Sequence, residues 1–209
     1  MRYAGGMLAF PVAPLAAMCL LFVQLAGAQV ESGTPPVPET AYLFSYFIGN
    51  GEDGLHLAWS GDGLKWEALN GGRSFLKPEV GESKLMRDPC LLRGPDGTFH
   101  MVWTTSWNGK TIGYANSKDL IAWSPQQAIP MMAHETNALN CWAPEVVWDD
   151  KRQHFLIFWA TTIPGRFPET DGKGDDKYNH RMYCTTSAKS ENQAWIDHQG
   201  GLSLRIPFS

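Results

Sequence analysis

The chain has 209 residues, a formal net charge of -4, 18% charged residues and no basic run. This balance excludes nucleic acid as an expected partner, because phosphate binding needs a concentrated Lys/Arg surface. Aromatic residues make up 12% of the chain, with nine Trp. They fit a β-rich core, where large rings pack on pleated surfaces, or a sugar site, where flat rings stack on sugar faces. Composition alone does not separate these two interpretations.

The pattern of residues 1–28 is typical of a secretory signal peptide. Arg2 gives a positively charged start, and an apolar stretch follows from Met7 to Leu25. Ala26-Gly27-Ala28 then provides the small-x-small pattern of a cleavage site. We therefore expect cleavage after Ala28 and a secreted, periplasmic or extracellular protein.

A retained membrane anchor is the alternative interpretation of the same stretch. Pro11 and Pro14 interrupt it, which argues against a stable membrane span. We expect no membrane association after cleavage, and residues 29–40 then form a short Pro-rich linker.

Three cysteines follow the predicted cleavage site, Cys90, Cys141 and Cys184. Their odd number leaves at least one unpaired, and their spacing is not that of metal ligands. Buried free thiols are favoured over a disulfide.

Short apolar and aromatic segments separated by turn residues predict an all-β domain. No helical period of 3.6 residues occurs after the linker. The segments YLFSYF (Tyr42–Phe47), LHLAWS (Leu55–Ser60), FHMVWTT (Phe99–Thr105) and FLIFWAT (Phe155–Thr161) each have the composition of a strand. Gly94-Pro95-Asp96-Gly97 is a strong turn signal between two such segments.

These segments recur along the chain with a period of about 55 to 57 residues. The recurring positions are Ser60, Asp62 and Trp66 with Ser117, Asp119 and Trp123; Trp103 with Trp159; and Pro89 with Pro144. A repeat near 50 residues with four strands each is typical of a β-propeller blade. A β-sandwich is the alternative, but it does not explain matched residues at matched offsets.

The repeat divides residues 41–187 into two to three blades. Ala41 to Asn70 predicts the outer strands of a first blade without an inner strand. Met86 to Met131 predicts a complete second blade, and Cys141 to Thr186 most of a third. Residues 188–209 do not continue the repeat, so we expect a divergent tail, from truncation, a shifted reading frame or a natural divergent end.

Several motifs in residues 41–186 resemble the family 43 glycoside hydrolases, the arabinofuranosidase and xylosidase group. They are RDP (Arg87–Pro89), SKDLIAW (Ser117–Trp123), CWAPE (Cys141–Glu145) and IFWATTIPGRFPETD (Ile157–Asp171). The resemblance implies a five-bladed β-propeller that hydrolyses O-glycosidic bonds with inversion. Its substrates would be arabinosyl or xylosyl side chains of plant-type polysaccharides.

The resemblance implies that Asp88 is the general base. Inversion also needs a carboxylic acid roughly 6.5–9.5 Å away, so that a water fits between the two groups. In the family this acid is a Glu in a Glu-Gly-Pro context, and a further Asp adjusts its pKa; neither context occurs before the chain ends. We therefore expect the 209-residue chain to be inactive alone. Asp-Pro also begins strands and caps turns, which is the structural alternative for Asp88.

Five further residues are candidates for substrate binding. Trp142 is expected to form a pocket wall, and Trp107 to stack on sugar or to occupy a rim or core position. Glu145 is either a binding residue or purely structural, and Arg87 and Arg166 complete the set.

Other functions compete with this one. A noncatalytic carbohydrate-binding propeller is the main alternative, and a purely structural propeller the last. The invertase-type group also uses Arg-Asp-Pro, but no Asn-Asp-Pro precedes Asp88. The sequence SGDGLKW resembles the sialidase box but is one residue short. We expect a carbohydrate partner and no cofactor; some family members hold a channel calcium, but its usual His comes from a later blade.

Overall fold

The computed structural model describes the backbone of residues 7–11, 40–171, 178–187, 194–197 and 203–205, and the side chains of residues 40–171 and 178–187. The described residues form antiparallel sheets, with two short 3-10 turns at Leu69–Gly72 and Pro168–Thr170. No helix among them is long and apolar enough to cross a membrane.

Three sheets form successive blades of a propeller, so the predicted all-β propeller class is confirmed. The first blade contains β1 (Met7–Pro11), β2 (Thr40–Tyr46), β3 (His56–Ser60) and β4 (Glu67–Ala68). The second contains β5 (Arg87–Arg93), β6 (Phe99–Thr104), β7 (Ile112–Ser117) and β8 (Gln127–Ile129). The third contains β9 (Trp142–Asp149), β10 (His154–Thr161), β11 (Arg181–Ser187), β12 (Ala194–Asp197) and β13 (Ser203–Arg205).

The first and third blades contain strands that the sequence did not predict. Met7–Pro11 pairs with β2 where the inner strand was expected to be missing, and Ala194–Asp197 pairs with β11 within the predicted tail. The open edge of a sheet has unpaired backbone groups that any extended segment can satisfy. The signal peptide and the divergent tail remain predictions, and most of their residues lie outside the described ones. Cleavage after Ala28 would remove β1 from the first blade, so the strand and the cleavage do not hold together in one mature protein.

The second blade is buried on both faces, and alternation along β6 shows why. Met101 and Trp103 face the first blade and pack in one core, whereas Val102 faces the third blade and packs in another. Successive side chains of a strand point to opposite faces, so a blade that is covered on both sides buries consecutive residues of its strands. All three residues are fully buried.

The repeated Ser-x-Asp motif forms the same turn in the first and second blades. Ser60 Oγ accepts a backbone N–H three residues ahead at 2.8 Å, and Asp62 Oδ1 accepts another three residues ahead at 2.8 Å. Ser117 and Asp119 repeat both bonds at 2.8 Å and 2.8 Å. These bonds close the loop into the outermost strand, so the recurrence of the motif is explained by chain geometry.

The three described cysteines, Cys90, Cys141 and Cys184, are free thiols. Cys141 is buried, and burial is the main cause that raises its pKa to about 12. Cys90 is half-buried. Cys184 is exposed, which contradicts the prediction that the thiols are buried, because it lies on the face of β11 that points away from the second blade.

Candidate active site

The inner strands of the second and third blades begin with the same backbone irregularity. Asp88 has a φ of 49° and Ala143 a φ of 47°, and each precedes a proline. The pairing register of each strand with its neighbour shifts at this point. A positive φ is uncommon outside glycine, and strained backbone of this kind clusters at functional sites. Thr104 links the two bulges, since its hydroxyl contacts Asp88 in one and Ala143 in the other.

The bulge at Asp88 is held by a direct contact from the first blade and, through Thr104, by an indirect contact with the third. Ser45 in the first blade donates its hydroxyl to the Pro89 carbonyl at 2.7 Å. Thr104 in the second blade donates to Asp88 Oδ2 at 3.2 Å and accepts the Ala143 N–H at 2.8 Å. Asp88 is thereby connected to the third blade through one hydroxyl group.

Burial raises the pKa of the Asp88 carboxyl above its ordinary value. The positive charge of Arg87 and the hydrogen bond from Thr104 lower the pKa but offset only part of this effect. A partly buried carboxylate with a raised pKa is a better proton acceptor than one in water. This property suits a general base.

Arg87 lies between two aromatic rings. Its guanidinium is 4.2 Å from the centre of the Trp107 ring and 4.9 Å from that of Phe47, which are cation–π distances. Asn50 Oδ1 accepts one bond from Arg87 Nη1 and one from Trp107 Nε1, both at 2.8 Å. The charge is therefore fixed at the side of the site.

The loop that carries Asn50 depends on a glycine. Gly51 has a φ of 88°, and a Cβ there would lie 2.6 Å from the Met86 carbonyl oxygen. The Met86 N–H donates to the Gly51 carbonyl at 2.9 Å. Only glycine allows this approach without strain, so the chain before Arg87 can lie directly against the loop.

Two tryptophans lie in the wall of the site, and one of them is the Trp107 that contacts Arg87. Trp142 Nε1 donates to the Trp107 carbonyl at 2.8 Å, and their rings meet edge to face at 5.5 Å. Trp142 also contacts Tyr178 at 4.8 Å and His180 at 5.2 Å between ring centres. Trp107 remains 41% exposed, which leaves aromatic surface available to a ligand.

A cavity of about 140 Å³ lies between these groups. Its lining consists of Arg87, Asp88, Thr104, Trp107, Trp142 and Ala143. A larger groove of about 540 Å³ lies on the first blade, between Phe44, Tyr46 and Trp66. The small cavity is the candidate active site, because its lining combines a half-buried carboxylate with two tryptophans. The lining of the larger groove contains no ionisable group other than Tyr46.

Four of the six residues predicted for the site line this cavity: Asp88, Arg87, Trp107 and Trp142. Glu145 and Arg166 are not among the lining residues. Glu145 is exposed on β9, near Cys90, where its charge adds to burial in raising the pKa of that thiol to about 11. Arg166 pairs with Glu135 at 3.0 Å.

Sequence reasoning missed four residues of the site: Asn50, Thr104, Tyr178 and His180. None of them belongs to a recognisable motif, and each acts through a partner from a distant part of the chain. Thr104 did carry a signal, since it follows Trp103, whose counterpart Trp159 is followed by Ala160. The polar residue at this position breaks the repeat.

Among residues 40–171 and 178–187, no group of three or more His, Cys, Asp or Glu side chains is arranged to hold a metal ion.

A family model described as "Probable glycosyl hydrolase domain" matches residues 38–203. No curated protein matches the chain by sequence. A solved glycoside hydrolase is 18% identical, with a TM-score of 0.47 over 78% of this chain and 53% of its own. A thermostable family-43 glycoside hydrolase is 10% identical, with a TM-score of 0.47 over 80% and 57%. The GH93 α-L-arabinofuranosidase of Fusarium graminearum is 15% identical, with a TM-score of 0.46 over 78% and 47%. The chain spans about half the length of these structures.

Proposed function

Since the chain belongs to this family of glycosyl hydrolase domains, which is related to family 43, we propose that it supplies the general base of a glycosidase. The observation that carries the proposal is the half-buried carboxylate of Asp88 in a cavity with Trp107 and Trp142 in its lining. A carboxylate in an aromatic-walled cavity is the arrangement that sugar hydrolysis needs: rings hold the sugar, and the carboxylate takes a proton.

In the proposed reaction, Asp88 removes a proton from a water molecule that attacks the anomeric carbon. The raised pKa of Asp88 favours the transfer of this proton. A carboxylic acid on the other side of the sugar protonates the leaving oxygen, roughly 6.5–9.5 Å from the base in an inverting enzyme. Asp88 is the only carboxylate among the described residues that line the cavity, so this acid comes from outside the lining.

We further propose arabinosyl or xylosyl side chains of plant-type polysaccharides as the substrates. The family resemblance of the motifs around Asp88 and Trp142 supports this class. The apolar stretch before Ala28 supports a secreted protein that meets such substrates outside the cell.

A substrate with a good leaving group tests the base independently of the acid. A dinitrophenyl arabinoside or xyloside needs no protonation of its leaving group, whereas an alkyl glycoside does. The expected inactivity of the 209-residue chain applies to alkyl glycosides, whose leaving group needs the missing acid. We expect the chain to leave these intact but to hydrolyse the activated substrate with inversion, which NMR detects at the anomeric carbon. Asp88→Asn should lower the rate by about 10² to 10⁴. An unchanged rate in this variant contradicts the assignment of the base.

A noncatalytic carbohydrate-binding module is the second candidate, and the single carboxylate in the described lining favours it. Calorimetric titration with arabino- and xylo-oligosaccharides distinguishes the two. Both functions predict that Trp142→Ala weakens binding by roughly tenfold or more, and that Trp66→Ala, a matched change outside the cavity, does not. Only the binding module predicts that Asp88→Asn leaves every measurable property toward sugars unchanged.

A further inference from the structure

Thr104 has two hydrogen bonds whose directions are fixed by chemistry. It is 2% exposed, at the end of β6 next to the cavity. The Ala143 backbone N–H can only donate, so the Thr104 oxygen accepts this bond at 2.8 Å. The hydroxyl proton is then free to point at Asp88 Oδ2, 3.2 Å away, which can only accept when ionised.

The internal repeat supplies a comparison within the same molecule. Arg87 pairs with Thr104 in the second blade, and Trp142 pairs with Ala160 at the same register position in the third. The bulged residue that follows is Asp88 in the second blade and Ala143 in the third. Where the acid is replaced by alanine, the threonine is also replaced by alanine. The hydroxyl and the carboxylate occur together and are absent together.

We propose that Thr104 is a positioning residue for Asp88, held in place by the Ala143 peptide of the neighbouring blade. This inference rests on the proposed role of Asp88 as the base. The hydrogen bond between Thr104 and Asp88 is observed whatever that role is. The Thr104 hydroxyl fixes one carboxylate oxygen and stabilises the charged form.

The electrostatic surroundings of Asp88 make the effect of Thr104 measurable. Arg87 is the other charged side chain in the cavity lining, and it lies on the same strand; the neighbouring elements contribute Thr104, Trp107, Trp142 and Ala143. Removing the hydroxyl leaves burial and Arg87 unchanged. The pKa of Asp88 should therefore rise further, since one of the two influences that lower it is lost.

The test is an NMR titration of the Asp88 carboxyl carbon in the full 209-residue chain, with the signal assigned by Asp88→Asn. Thr104→Val keeps the shape of the side chain and removes the hydroxyl, so we expect an upward shift of the Asp88 pKa and faster hydrogen exchange at the Ala143 amide. Thr104→Ser keeps both bonds and should restore both values. Should Thr104→Val fail to fold, Thr104→Ala removes the same hydroxyl and is measured in the same way.

Thr105→Val is the matched control. Thr105 is buried beside Thr104, but its hydroxyl contacts Glu82 and Thr111, so the Asp88 titration should not change. An Asp88 pKa that is the same in Thr104→Val and Thr105→Val overturns the proposal. A shift only in Thr104→Val, together with no hydrolysis or binding of sugars, retains the positioning role and rejects the glycosidase.

Discussion

At the scale of single residues, the charge of Asp88 has a cost for folding. Burial raises the pKa of this carboxyl, so the folded state prefers it protonated. The protonated Asp88 therefore stabilises the folded state below about pH 3.9, the ordinary pKa of Asp. This stabilisation is lost as the pH rises through the raised pKa of the folded state. We expect Asp88→Asn to be more stable than the wild type near neutral pH and equally stable in acid. Urea unfolding at several pH values measures the difference.

Asp96 provides a control of opposite sign. Burial acts to raise its pKa, but hydrogen bonds from Thr98 and Lys118 prevail and lower it to about 2. The resulting stability is present above the ordinary pKa of Asp and is lost as the pH falls through the lowered value. Asp96→Asn should therefore be less stable than the wild type near neutral pH, by no more than about 1 kcal/mol after solvent screening. If Asp88→Asn and Asp96→Asn change the free energy of unfolding in the same direction near neutral pH, one of the two pKa shifts has been assigned the wrong direction.

The sequence predicted those residues of the site that belong to a motif. It did not predict those that reach the site only through tertiary contacts. Asp88 is marked by the motif that it forms with Pro89, and Trp142 stands two residues before the equivalent Pro144. Asn50 is not marked, because its role depends on a loop folding against Arg87. Arg166 has the residue type expected of a substrate ligand, but its charge is paired with Glu135, and the sequence contains no sign of that pairing.

At the scale of elements, the contact between β6 and β7 depends on a glycine. A Cβ at Gly113 would lie 1.9 Å from the ring of Trp103, which is fully buried. Gly113→Ala must displace the ring, and overpacking of this kind costs about 1–3 kcal/mol. We expect a lower free energy of unfolding and a changed near-ultraviolet circular dichroism spectrum, because the ring leaves its position.

Gly165→Ala is the control that separates displacement of the Trp103 ring from backbone strain. Gly165 has a φ of 77°, but no atom lies within 4 Å of an added Cβ. Its substitution should cost about 1–2 kcal/mol through the left-handed backbone alone, with an unchanged tryptophan spectrum. A spectrum of Gly113→Ala identical to that of the wild type shows that the ring does not depend on the glycine.

The order of the elements was predictable because each blade repeats the same local chemistry. Trp103 and Trp159 recur at one strand position and both are buried, and the Ser-x-Asp turn recurs with its hydrogen bonds. Strands at open edges were not predictable. Met7–Pro11 joins the first sheet through backbone pairing, and backbone groups are the same in every sequence.

At the scale of the whole molecule, the third blade has one face that packs on the second blade and one, here called the open face, that is partly exposed among the described residues. Phe155, Ile157 and Trp159 pack toward the second blade. Leu156 and Ala160 alternate with these residues along β10 and point to the other face. Their paired neighbours lie on that face too, Val147 beside Leu156 and Met182 beside Ala160. Among the described residues, Val147 is 38% and Met182 65% exposed. Apolar side chains are therefore exposed on this face, together with the exposed Glu145 on β9.

We expect this surface to cause concentration-dependent association of the purified chain, because contiguous apolar patches associate in water. Val147→Lys combined with Met182→Lys places two charges on the open face and should shift the sedimentation velocity distribution toward the monomer. Leu64→Lys combined with Ile121→Lys is the control. Leu64 is 84% and Ile121 73% exposed, but both lie in turns between strands. Association that decreases equally in both double variants reflects net charge and not the open blade face.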